Sequence, residues 1–272
     1  MSEQQLSVTE VGAAGPRVVF MHGLFGQGKN FQRIARGLEP EWRSLLVDLP
    51  NHGASPWTES IDYADMADAV AATLRDLPDD DASPGDEASS RFAVVGHSMG
   101  GKVAMLLALR HPDLVDRLVV VDIAPAPGGG TEEFESLLGS LASLDLRTVE
   151  SRSAADEELA ELITSATVRG FLLQNLQRTE GDGWRWRANL DLLRAQLDVI
   201  GGFPEVDATY DGPVLWIAGE RSDYVRPEHA DRMRELFPRA RQLTVKDSGH
   251  WVHSEQPEVV TEALRVFLAA DA

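Results

Sequence analysis

Gly96-His97-Ser98-Met99-Gly100-Gly101 stands between a short apolar run, Phe92-Ala93-Val94-Val95, and an apolar stretch of helical character, Lys102 to Arg110. A strand that must become a helix within two residues forces the residue at the turn into a strained backbone conformation. Glycines two positions before the serine and two positions after it leave room for that turn where a side chain would collide. The serine hydroxyl is thereby held out at the carboxyl edge of a sheet, beside the positive end of the following helix. A bare G-x-S-x-G also describes an ordinary glycine-rich turn. The strand before it, the helix after it and the second glycine behind it favour a nucleophile at Ser98.

On both sides of this hexapeptide, short apolar runs alternate with amphipathic stretches, the pattern of parallel strands joined by crossover helices. Strands are predicted at Leu6–Val11, Val18–His22, Ser44–Asp48, Phe92–Val95, Leu118–Ile123, Val214–Ala218 and Gln242–Val245. Helices are predicted near Asn30–Leu38, Tyr63–Leu77, Lys102–Arg110, Pro227–Phe237 and Pro257–Leu268. The acidic stretch Pro78 to Ser90 has almost no large apolar residue and reads as an exposed loop. From Pro125 to Asp211 no convincing strand is visible. Phe134, Leu137, Leu138 and Leu141 follow helical spacing, as do Leu159, Leu162, Ile163 and Ala166. The expected organisation is a core domain of residues 1–124 and 212–272 with a helical cap, 125–211, inserted at the carboxyl edge where ligands bind in such folds.

Composition narrows the function. The 272 residues are 43% hydrophobic and 25% charged, as in ordinary globular proteins. A formal net charge of −19 argues against nucleic acid or an anionic membrane as partner, because both would be repelled. With no cysteine, thiolate catalysis, disulfides and cysteine-based zinc sites are excluded. The opening residues show no signal-peptide pattern and no apolar run approaches the roughly 20 residues of a bilayer span, so a cytoplasmic location is expected.

Three further features converge on the edge that carries Ser98. His22-Gly23-Leu24-Phe25-Gly26 follows a strand directly, and its glycines let the backbone bend. The N–H groups of Leu24 and Met99 are then candidates for an oxyanion hole. A serine hydroxyl is a poor nucleophile near neutrality and needs a base such as imidazole. Of seven histidines, His250 in Gly249-His250-Trp251 sits best, just after the last strand. His97 lies inside the turn, pointing away from Ser98, and His253 is expected to cap or solvate the start of the final helix. The acid that orients this base is open between Asp122, at the end of the strand Leu118–Ile123, and Asp223, past the strand Val214–Ala218.

The order nucleophile, acid, histidine is that of the α/β-hydrolase superfamily, and the chain resembles its small serine carboxylesterases, bacterial acyl-ester hydrolases and mitochondrial abhydrolase-type relatives. The resemblance rests on His22–Gly26, Asp48-Leu49-Pro50-Asn51-His52-Gly53-Ala54-Ser55, Gly96–Lys102, Val121-Asp122-Ile123-Ala124-Pro125, Phe171-Leu172-Leu173 and Gly249-His250-Trp251-Val252-His253. It implies a mostly parallel, doubly wound sheet with an inserted helical cap, a small-molecule ester substrate, no cofactor and no metal. It also points to Asp122 as the acid, although relatives usually have no aspartate where Asp223 stands. Phe25, Trp251, Leu138 and Phe171 are expected to line the substrate pocket. A carbon–carbon bond hydrolase or the menaquinone-pathway lyase of the superfamily would keep the same triad. The lyase would want a cation facing a carboxylated substrate, for which Lys102 is the evident candidate. A hydrolase-fold protein that only binds a small ligand is the remaining alternative.

Overall fold

The computed structural model describes residues 5–78, 91–126, 131–181 and 183–270. Along them the strands are β1 (Val8–Val11), β2 (Arg17–Met21), β3 (Arg43–Val47), β4 (Phe92–His97), β5 (Val115–Val121), β6 (Leu176–Arg178), β7 (Trp184–Trp186), β8 (Val214–Gly219) and β9 (Ala240–Val245). All but β6 and β7 join one sheet of order β1-β3-β2-β4-β5-β8-β9. Neighbours are parallel, except that β1 runs antiparallel to β3 at the edge. All seven predicted strands are present.

The helices before the insertion are α1 (Gln32–Gly37), α2 (Tyr63–Arg75) and α3 (Met99–Arg110). Within it come α4 (Glu132–Ser143), α5 (Arg152–Leu159), α6 (Ala166–Leu172), α7 (Leu190–Ala195) and α8 (Leu197–Gly201). After it follow α9 (Ala230–Leu236), α10 (Val252–Glu255) and α11 (Pro257–Ala269). Alternate strand residues serve opposite layers. Val18, Phe20 and Val95 pack with Ile34 of α1, Leu38 just past its end, and Val260 and Leu264 of α11. Val19, Met21 and Val94 pack with Val70 and Leu74 of α2 and Val103 and Leu107 of α3. Burial on both faces explains why these strands read as continuous apolar runs rather than as alternating ones.

The chain between β5 and β8 is mainly helical, with two departures from expectation. Trp184–Trp186 pairs antiparallel with Leu176–Arg178, a hairpin where no strand was expected. Strands of three residues are too short to show a period. The helical spacing from Leu159 to Ala166 is interrupted: α5 and α6 are separate helices, each begun by a serine cap, Ser151 accepting from Ala154 N–H and Ser165 from Val168 N–H. Leu162, in the break, is 57% exposed. The insertion is fastened to the core by Asn175, whose side chain donates to Phe25 O at 2.7 Å, and by Asn189 N–H to Asn51 O at 3.0 Å. The acidic stretch expected as an exposed loop lies, from Asp79 to Ser90, outside the described residues. Among the described residues, no helix is long and apolar enough to cross a membrane.

Candidate active site

The turn from β4 into α3 places Ser98 at φ 53°, ψ −120°, a sparsely populated conformation for a side-chain-bearing residue. Its neighbours must be glycine for steric reasons. A Cβ on Gly96 would lie 2.2 Å from Gly100 O, and one on Gly100 would lie 2.4 Å from His22 O. The helix α3 begins at Met99, so the serine sits at its N-terminus.

Ser98 Oγ lies 3.0 Å from His250 Nε2, and His250 Nδ1 lies 2.8 Å from Asp122 Oδ2. An ionised carboxylate only accepts, so Nδ1 carries the proton and Nε2 is free to accept from the serine hydroxyl. Asp122 is fully buried and caps β5 at φ 52°. Its carboxylate also accepts from Gly219 N–H at 2.9 Å and from the Ser222 hydroxyl. Asp223 is exposed on the same loop, at the rim of a cavity, and makes no hydrogen bond to His250 among the described residues. The loop after β8 thus supplies donors to the carboxylate rather than the carboxylate itself. Tyr224, from that loop, stacks on the His250 ring with centroids 4.0 Å apart and planes 27° apart. Sequence reasoning missed Ser222 and Tyr224, although they flank the aspartate it had singled out.

Four of the remaining histidines, His22, His52, His97 and His253, are buried and packed, not catalytic in geometry. His97 Nε2–H donates to the His250 backbone carbonyl at 2.9 Å, bracing the loop that carries the base. His253 neither caps nor faces solvent, contrary to expectation. It is buried between Phe31, at 4.8 Å, and His97, at 4.4 Å, because the turn of α10 directs it into the core. Burial pushes the pKa of His22 down to about 4 and those of His52 and His253 to about 3, and that of His97 well below its usual value.

Two of these neutral rings shape the loop that carries Leu24. His22 Nε2 accepts from Leu49 N–H at 3.0 Å, and His52 Nε2 accepts from Phe25 N–H at 3.3 Å. Phe25 itself is held at φ 62°. Gly26 N–H is spent on Gly23 O, whereas Leu24 N–H has no hydrogen-bond partner among the described residues. Met99 N–H, in the first turn of α3, has no intrahelical acceptor. Leu24 and Met99 both border the space in front of Ser98.

That space has two parts. A cavity of about 530 Å³ has an apolar floor including Leu24, Met99, Ile123 and Phe134, and a polar rim including Glu133 and Asp223. Ser98 also borders a slot of only about 10 Å³, lined by Phe25, Phe171, Trp251 and Leu137 among others. Phe25, Trp251 and Phe171, expected to line the substrate pocket, line this slot. Leu138 does not: it is wholly buried in the core, and its neighbour Leu137 faces the slot, since one residue on a helix turns the side chain by about 100°. Lys102 lines the large cavity, but its Nζ donates to the carbonyls of Ile200, Gly201 and Gly202 at 2.7–2.8 Å. Burial pushes its pKa down to about 7, while the three carbonyl acceptors favour the charged form.

Residues 18–263 match the alpha/beta hydrolase family. The sn-1-specific diacylglycerol lipase ABHD11 of Mus musculus is 38% identical over 260 residues, covering 93% of this chain and 81% of the relative. Esterase YbfF of Escherichia coli K12 is 33% identical over 251 residues and 92% of each chain. A solved marine microorganism esterase superposes with a TM-score of 0.89 at 30% identity, over 97% of this chain and 99% of that one.

Proposed function

Because this chain belongs to the alpha/beta hydrolase family, we propose that it is an ester hydrolase of the esterase/lipase type, a serine carboxylesterase working through an acyl-enzyme. Ser98 Oγ attacks the ester carbonyl while His250 Nε2 takes its proton. Asp122 holds the imidazole in the required tautomer and stabilises its cation. The N–H groups of Leu24 and Met99 receive the oxyanion, each such donor being worth about 3 kcal/mol of transition-state stabilisation. His250 then protonates the leaving alkoxide, and water deacylates Ser98 by the same route reversed. No step calls on a metal or cofactor, and EDTA should leave the rate unchanged.

The observation that carries this reading is the unbroken chain of contacts from Ser98 Oγ to His250 to Asp122, at 3.0 and 2.8 Å. The largely apolar cavity of about 530 Å³ beside Ser98 has room for a small ester. A lyase reading is disfavoured by Lys102, whose three N–H donors are already engaged by backbone carbonyls and are not offered to a carboxylated substrate. The test is a panel of p-nitrophenyl esters from acetate upward. Turnover of at least one, abolished in Ser98→Ala, is expected. Ligand binding without turnover of any ester would favour a hydrolase-fold binding protein instead.

A further inference from the structure

Lys102 is a buried ammonium to which the ester chemistry assigns no step. We propose that it determines which esters fit, by clamping the carboxyl end of α8 against α3 and so fixing one wall of the large cavity beside Ser98. The proposal rests on the ester reading only for what that cavity holds.

The clamp is geometrically complete. Lys102 lies in the first turn of α3, the helix that begins beside Ser98. An ammonium has three N–H donors, and Nζ reaches three acceptors, Ile200 O at 2.8 Å and Gly201 O and Gly202 O at 2.7 Å. These carbonyls end α8, where no further helical N–H can reach them and the helix dipole is negative. The charge is held by peptide dipoles, for no carboxylate pairs with it among the described residues. Tyr63, the first residue of α2, supports the same point: its hydroxyl donates to Ile200 O at 2.7 Å, and its ring lies 5.4 Å from Nζ.

The end of α8 is in turn a wall of the site. Lys102, Ile200 and Gly201 line the cavity with Ser98, together with Thr131 at the start of α4. A Cβ on Gly201 would lie 2.6 Å from Thr131 Cγ2, so α8 and α4 meet there without slack. Release of α8 would therefore move both helices that bound the space for the substrate. The same device recurs where Arg117 donates to the carbonyls of Phe267, Leu268 and Ala270 at the end of α11, but the cavity that Phe267 and Ala270 line there does not include Ser98.

The experiment compares ethyl acetate, ethyl octanoate and octyl acetate, followed by pH-stat, in the wild type, in Lys102→Met and in Lys102→Cys aminoethylated with 2-bromoethylamine while unfolded and then refolded. The chain has no other thiol for that reagent. In Lys102→Met the kcat/KM of one long ester relative to ethyl acetate should fall about tenfold, through KM rather than kcat. Exchange of the Ile200 and Gly202 amides should accelerate about tenfold while that of α3 stays as in the wild type. Aminoethylation, which rebuilds an ammonium of the same reach, should restore both. An equal loss on all three esters, an unchanged ratio, or a changed ratio without faster exchange in α8 would overturn the proposal. If Lys102→Met does not fold, Gly201→Ala tests the same junction, and an unchanged ratio in that variant would overturn it too. The exchange measurement needs no turnover, so failure of the clamp and failure of the ester reading are distinct outcomes.

Discussion

Asp122 offers its two carboxylate oxygens to three donors: Gly219 N–H, the Ser222 hydroxyl and His250 Nδ1–H. Replacing it by asparagine puts an N–H₂ where an acceptor is needed and favours the wrong tautomer of His250. Asp122→Asn should therefore cost up to about 10⁴ in kcat, whereas Asp223→Asn, at an exposed rim position, should cost less than about tenfold. Near-normal turnover in the first with collapse in the second would show that the acid is Asp223, after β8, and not Asp122. Ser98 and His250 were legible in the sequence because each stands in a short motif whose local backbone does the positioning. The acid was not legible from spacing alone, since β5 and β8 both end at the same edge and each is followed by an aspartate. What separates them is the three-dimensional path of the loop after β8, which turns Ser222 and Tyr224 inward and Asp223 outward.

Among the elements, the insertion between β5 and β8 was foreseen as helical and was read with a phase error. Leu137 and Leu138 both fit helical spacing, but only the packing of α4 shows that Leu137 faces the slot and Leu138 the core. Enlarging the slot residues, by Leu137→Phe or Phe171→Trp, should shift the ratio of rates on short and long esters more than it shifts Tm. Leu138→Ala should do the reverse, costing about 2–5 kcal/mol of stability with little change in that ratio. Equal changes in ratio for both sites would mean that the slot does not contact substrate. The hairpin of β6 and β7 lay beyond sequence reasoning, because three-residue strands carry no period and their pairing depends on neighbours distant in sequence.

At the scale of the molecule, four buried histidines tie stability to pH. His22, His52, His97 and His253 are all held below the usual imidazole pKa of about 6.5 in the fold. Above that pH the folded and unfolded chains bind equal numbers of protons at these sites. As pH falls from about 6.5 toward 4, the unfolded chain takes up protons that the fold refuses, so stability declines by up to about 1.4 kcal/mol per pH unit for each histidine. His253 Nδ1 has no hydrogen-bond partner among the described residues and its ring packs on Phe31, so phenylalanine is a near-isostere there. His253→Phe should keep its Tm at pH 7 and lose less of it by pH 5 than the wild type; an equally steep decline would show that this ring titrates freely. The strand positions were readable from apolar runs, but this histidine layer was not, since nothing in the sequence marks a histidine as interior.

The central claim is that Ser98 forms the covalent intermediate. Reaction of the folded protein with a fluorophosphonate, followed by peptide mapping, measures it most directly. One adduct per chain is expected, on Ser98, with none in Ser98→Ala and a much slower reaction in His250→Ala. An adduct on another residue, or stoichiometric labelling of a folded Ser98→Ala protein, would contradict it.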